Sequence, residues 1–172
     1  MSAKQLFVLR HAKSSWDDPG LEDSERPLAP RGDRAARLIA QHVHDRGIAP
    51  QQVLCSPARR ARETLERVAP GGEVLIEHAL YSASASEIID RLREVPERLD
   101  SVMVVGHNPA LQRLVLRLAG GNRNVAEDSE LAQVRRKFPT GALATLTLTC
   151  GWEALSPGRA RLTAYVRPKS LA

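Results

Sequence analysis

Four short apolar runs constrain this chain more than any other feature. They lie at residues 5–9, 52–55, 73–76 and 102–105, and none alternates apolar with polar positions. A strand with one wet face alternates, whereas a continuous run of this length is the habit of parallel strands covered on both faces. Between the runs lie stretches with helical spacing. Residues 31–46 place Ala35, Leu38, Ile39 and Val43 on one helix face. Residues 57–68 read as a helix with Pro57 in its first turn and Ser56 as N-cap. Residues 85–95 carry Ile88, Ile89 and Leu92, with Ser84 or Ser86 placed to start them. Residues 109–119 carry Leu111, Leu114, Val115 and Leu118, and Gly120-Gly121 stops them. Strands alternating with helices predict an α/β fold, a three-layer α/β/α sandwich on a mostly parallel sheet.

The last third changes character. Residues 122–137 are polar and charged, and are expected to form a loop holding at most one short helix. Residues 142–149 alternate Leu and Thr, residues 161–166 form another strand candidate, and Pro157-Gly158 reads as a turn between them. These two strands are expected to pair antiparallel at the sheet's edge. With 172 residues and no repeat or linker, one domain spanning 1–172 is expected.

The net charge of +5 raises the question of nucleic acid. The arginines, however, are scattered among Glu and Asp, with no basic tail and no aromatic-interleaved basic stretch, so no nucleic-acid partner is expected. No apolar stretch approaches membrane-spanning length, and the expected address is the cytoplasm, with no membrane partner. Cys55 and Cys150 form no C-x-x-C or zinc-ligand pattern and are expected to be reduced. His42 and His44 stand two apart on a helix and face different ways, so neither a metal nor a cofactor is expected.

Ligands of open α/β sheets bind beyond the carboxyl ends of the strands. After the first run comes Arg10-His11, and after the second comes Ser56-Pro57-Ala58-Arg59-Arg60-Ala61. His78-Ala79-Leu80-Tyr81-Ser82 follows the third, and Gly106-His107-Asn108-Pro109 the fourth. Histidines and arginines thus gather where a site belongs. Arginine's planar fork of donors matches phosphate oxygens.

These segments resemble the histidine phosphatase superfamily, with its phosphoglycerate mutase-like fold, and within it the SixA-like branch of phosphohistidine phosphatases. The resemblance rests on Arg10-His11-Ala12, on the stretch from Ser56-Pro57 through Arg60-Ala61 to Thr64, and on Val105-Gly106-His107-Asn108-Pro109. Arg26-Pro27-Leu28 followed by Gly32, and Lys137-Phe138-Pro139-Thr140-Gly141-Ala142, resemble two further elements of the small branch. The resemblance implies that His11 is a nucleophile taking the phosphoryl group, with Arg10, Arg60 and His107 around the phosphate. Arg26 is implied as a site-adjacent, substrate-binding residue, or else as a salt-bridge partner holding its loop. Arg59 and Arg62 are expected on the surface or rim. The chemistry fits: covalent catalysis splits one hard displacement into two easier ones, and fixed cations stabilise charge on the transferring group.

Larger members of the superfamily use a carboxylate near the end of the third strand to protonate a leaving alkoxide. A related pattern would put Glu where Ser82 stands in this chain. Glu77, Asp17 and Asp18 are the remaining candidates for an acid. An alkoxide needs a proton from a positioned acid. An imidazole, which takes a proton near a pKa of about 6.5, departs with less help. The expected function is therefore that of a metal-independent phosphatase that acts through a phosphohistidine intermediate on His11 and dephosphorylates protein phosphohistidine. A phosphatase of a small phosphorylated substrate is the enzyme alternative, and a phosphate-sensing or adaptor domain the non-enzyme one.

Overall fold

The structure is a computed structural model that describes residues 3–120 and 129–172. In chain order its strands are β1 (Gln5–Arg10), β2 (Gln52–Cys55), β3 (Glu73–Ile76), β4 (Ser101–Gly106), β5 (Leu143–Leu148) and β6 (Ala160–Val166). Its helices are α1 (Pro30–Asp45), α2 (Arg59–Val68), α3 (Ala85–Leu92), α4 (Ala110–Gly120) and α5 (Glu130–Arg136). The strands form one sheet in the order β3-β2-β4-β1-β5-β6. β1, β4, β2 and β3 run parallel, whereas β5 and β6 are antiparallel. The expected antiparallel pair does lie at one edge of the sheet.

The apolar runs are explained by burial on two faces. Leu6, Val8, Leu54, Val102 and Val104 join a core closed by α3, α4 and α5. Their neighbours Phe7, Leu9, Val53, Cys55, Met103 and Val105 join a second core closed by α1 and α2. Successive residues of a strand point to opposite faces, so a strand covered on both sides is apolar throughout. The product is a three-layer α/β/α sandwich.

This topology also locates the site. From β1 the chain steps through α1 to β2 and through α2 to β3, moving in one direction across the sheet. It then returns through α3 to β4, beside β1. Right-handed crossovers in opposite directions place their helices on opposite faces. The direction reverses between β1 and β4, and the crevice at their carboxyl ends is the sheet's switch point. Arg10-His11 and Gly106-His107 open there.

Several boundaries differ from those expected. β1 runs one residue further, to Arg10. α2 begins at Arg59, with Ala58 rather than Ser56 at the N-cap and no side-chain cap bond. Ser84, not Ser86, starts α3, in a reciprocal capping box with Glu87, a device worth about 1 kcal/mol. The polar segment does contain a short helix, α5, whereas Gly121 and residues 122–128 lie outside the described residues. β3 is the other edge of the sheet and leaves Val74 and Ile76 exposed. Among the described residues no helix is long and apolar enough to cross a membrane. Both cysteines are unpaired.

The Arg26-Pro27-Leu28…Gly32 element has a packing explanation. The chain leaving His11 pairs with the approach to α1: Ser15 N–H donates to Pro27 O (2.8 Å) and Ala29 N–H to Lys13 O (2.9 Å). Gly32, in the first turn of α1, lies so close that a Cβ there would fall 2.0 Å from Lys13 O. Only glycine allows the helix to press on this loop.

Candidate active site

At the switch point a cavity of about 430 Å³ opens, lined among others by Arg10, His11, Arg26, Arg60 and His107. All five residues singled out in the sequence therefore meet in one place, although they come from four separate segments. A groove of about 520 Å³ beside the end of α1 is larger, but its nearest residues, such as His42, Ile48 and Ala164, bring no ring of cations together.

His11 is held as a neutral base. Its ring Nδ1 lies 2.7 Å from Ala12 O. A carbonyl oxygen only accepts, so Nδ1 carries the proton and Nε2 keeps its lone pair. The backbone is fixed on both sides: His11 N–H donates to Gly106 O, and Gly141 N–H donates to Arg10 O and His11 O. Ala12 N–H donates to Thr64 Oγ1 (2.9 Å), which donates in turn to Arg60 O (2.7 Å). The threonine closing the second motif thus ties the His11 turn to α2.

Burial, followed by the positive neighbours His107, Arg60 and Arg10, lowers the His11 pKa to about 3, against the opposing bond to Ala12 O. Burial and Arg60 lower that of His107 to about 4, with Asp23 opposing. The two rings sit 5.1 Å apart, tilted by 53°. His107 Nε2 lies 2.7 Å from Ser56 Oγ, a hydroxyl that can donate to a neutral ring or accept from a protonated one. Ser56, expected as a helix cap, instead partners this histidine. A ring that resists protonation stays neutral as pH falls until its lowered pKa is reached. In the ligand-free protein both rings are therefore expected to remain neutral at pH 5.5, where an unperturbed histidine is mostly charged. NMR titration of labelled imidazoles checks this, and a midpoint near 6.5 for either ring contradicts it.

The arginines are aimed by different elements. Arg60 follows Arg59 in the first turn of α2, on the helix's buried face with Ala61, Thr64, Leu65 and Val68. Its Nη1 donates to Asp23 O (2.7 Å) and its Nη2 to Asp23 Oδ2 (3.0 Å). Arg10 Nη1 donates to Phe138 O (3.0 Å), which also accepts from Asn108 Nδ2 (2.8 Å). The Lys137–Ala142 segment therefore aims Arg10 and clasps the His11 backbone, which accounts for the late motif. Arg10 Nε and Arg60 Nε are buried donors with no hydrogen-bond partner. Buried donors are normally paired, and two unpaired guanidinium N–H groups beside a cavity favour an anion.

Asp23 is the residue that sequence reading missed. Its carboxylate accepts from Arg60, from Arg26 Nε (3.2 Å) and Nη2 (3.0 Å), and from the Tyr81 hydroxyl. The Tyr81 bond, then those of Arg60 and Arg26, hold its pKa down at about 2. Arg26, 7% exposed, lines the cavity and also donates to Ser14 Oγ and Ser15 O, so it stands beside the site and holds its loop. The acids proposed from sequence are elsewhere. Glu77 pairs with Arg91 (2.7 Å), and Asp17 and Asp18 are exposed outside the cavity lining, with Asp18 capping Gly20 N–H. Arg59 pairs with Glu63 and Arg62 donates to Pro57 O, both outside the site. Asp23 carried one sequence signal, its place three residues before Arg26, which suits an ion pair in a tight turn.

A pocket of fixed cations and uncharged imidazoles suits a phosphoryl group. At the switch point of a parallel sheet it describes a phosphatase of the histidine-dependent class. Comparison with known proteins agrees. The sequence model of the histidine phosphatase superfamily (branch 1) matches residues 6–82. An uncharacterized protein of Mycobacterium tuberculosis is 35% identical over 161 residues, 94% of this chain and all of its own length. The phosphohistidine phosphatase SixA of Escherichia coli is 28% identical over 150 residues, 84% of this chain and 85% of its own. A solved structure from Nakamurella multipartitia, put forward as a phosphohistidine phosphatase SixA, superposes with a TM-score of 0.85 at 30% identity, covering 98% of each chain. The structure of the protein histidine phosphatase SixA complexed with tungstate matches with a TM-score of 0.78 at 26% identity, covering 98% of this chain and 99% of that one. The chain belongs to the histidine phosphatase superfamily, in its SixA-like branch, and is a phosphatase.

Proposed function

We propose that this protein hydrolyses phosphohistidine on proteins, with His11 as nucleophile. One observation carries the choice of substrate. Asp23, the one carboxylate among the described residues lining the cavity, is held ionised by Tyr81, Arg60 and Arg26. It has no proton to give an alkoxide. A leaving group that accepts its own proton is therefore favoured, and imidazole is one. The names of the SixA relatives point the same way.

In the proposed reaction, His11 Nε2 attacks phosphorus as the bond from phosphorus to the substrate's ring nitrogen breaks. The electron pair stays with the departing ring, which leaves as neutral imidazole because its other nitrogen already carries a proton taken from solvent. Arg10, Arg60 and His107 line the cavity that receives the phosphoryl oxygens, and the two guanidinium charges stabilise them. Water then attacks the phosphoryl group on His11, the electron pair returns to Nε2, and inorganic phosphate leaves. The cations are in place before charge develops, so no reorganisation is needed at the moment of transfer.

The test compares leaving groups. A phosphohistidine peptide and p-nitrophenyl phosphate are expected to turn over about 100–10,000-fold faster than glycerol phosphate, the range a missing general acid spans. Comparable rates, with an Asp23→Asn variant losing glycerol phosphate alone, would replace this reading with a small-molecule phosphatase that uses Asp23 as acid.

A further inference from the structure

Trp16 is anomalous for so exposed an aromatic. It lines the mouth of the cavity yet leaves 70% of its surface in water. Its position is nevertheless fixed. The backbone just before it is paired through the Ser14–Leu28 bridge and the Ser15–Pro27 hydrogen bond. Its ring is covered by the Arg26 guanidinium, 3.6 Å from the ring centroid. Arg26 itself is buried and already holds Asp23, Ser14 and Ser15, so it does not need the indole to satisfy its donors. The indole in turn gains little burial from the contact. Tyr81, the other aromatic of the lining, projects its hydroxyl to Asp23 on the same rim. Of six Phe, Trp and Tyr residues in the chain, two therefore border this mouth.

An aromatic ring that is open to water yet locked in one geometry is pre-organised for contact, because little entropy remains to be lost on binding. Such residues recur as energetic centres of recognition. We propose that Trp16 is a substrate-contacting, specificity-determining residue, onto which the side chains flanking a phosphohistidine pack while the phosphoryl group enters the cationic floor. This rests on the reading that the substrate is protein phosphohistidine. It explains why the loop from Lys13 to Ala29 is built so firmly: the loop carries a docking ring as well as Arg26.

The test uses two substrates with the same kind of P–N bond. One is a synthetic peptide with its phosphohistidine flanked by leucines, and the other is phosphoramidate, which has no flanking groups. In Trp16→Ala the ratio of kcat/KM for peptide to that for phosphoramidate is expected to fall about 10–100-fold, the size of an anchor residue's truncation. The loss should appear in KM rather than kcat, and Trp16→Phe should recover most of it. Fluorescence gives an independent readout, because the other tryptophan, Trp152, is fully buried and donates its Nε1–H to Leu99 O. Acrylamide quenching therefore reports Trp16, and saturating His11→Ala protein with the phosphopeptide should shield it. An unchanged ratio in Trp16→Ala, or unshielded quenching, overturns the inference alone. A wild-type protein that turns over phosphoramidate but not the peptide overturns the phosphohistidine reading and this inference with it.

Discussion

His11→Ala is expected to abolish turnover, with a loss on the order of a million-fold, as when a covalent nucleophile is removed from its catalytic set. The size follows from the arrangement. His11 lines the cavity, and Nε2 is its ring nitrogen left for attack because Nδ1 is committed to Ala12 O. His107 cannot stand in, as its Nε2 is engaged with Ser56 Oγ. Folding should survive the change. The backbone bonds of residue 11 to Gly106 and Gly141 do not involve the side chain, and the imidazole contributes no apolar core. A matching melting curve, together with wild-type phosphate binding, would separate lost chemistry from lost structure. The same mechanism requires a covalent species. Acid-sensitive, base-stable label from a phosphorylated substrate should appear on His11 in the wild type and be absent from the variant. Substantial turnover by His11→Ala would remove the nucleophile from the proposed reaction.

How much of this could be read from sequence depends on whether a residue acts locally or across the fold. The two-faced strands were legible because burial on both sides leaves a direct trace in composition. The helix of the second motif was legible too, and the resemblance singled out Arg60, which the structure places on the buried face with Ala61, Thr64, Leu65 and Val68. The sandwich, its antiparallel edge and the convergence of Arg10, His11, Arg26, Arg60 and His107 follow from that pattern and from the resemblance. Other features depend on partners distant in sequence. Ser56 looked like a helix cap because a serine before a proline usually is one, but its partner His107 is 51 positions away. Apart from its spacing to Arg26, Asp23 reads in the sequence as any loop acid. It becomes part of the site only because Arg60 and Tyr81, 37 and 58 positions away, fold over it. Glu77, Asp17 and Asp18 are the acids near the strand ends along the chain, whereas the acid of the cavity comes from a loop more distant in sequence. The open edge at β3 was hidden for a related reason: its apolar run matches those of the buried strands, and only the strand order shows that nothing among the described residues pairs beyond it.

The adjacent arginines of the second motif give the sharpest test of register. Arg60→Ala is expected to lower kcat by about 100–1,000-fold, the usual cost of removing one fixed donor from developing charge. Arg59→Ala should leave turnover nearly unchanged. One residue separates them, but a step of about 100° around a helix takes the side chain from the cavity to the solvent. Arg60 is 6% exposed and reaches Asp23 and the cavity, whereas Arg59 lies on the outer face against Glu63. Arg60→Lys discriminates further. An ammonium restores the charge but not the planar fork that can hold Asp23 through both terminal nitrogens while Nε–H remains free. It should recover a minor part of the lost rate. The loss in Arg60→Ala should not be one of folding, because Arg26 and Tyr81 still hold the Asp23 carboxylate. Equal losses at positions 59 and 60 would mean that charge near the start of α2, rather than a donor directed at the phosphoryl group, supports the reaction. Full recovery in Arg60→Lys would carry the same meaning.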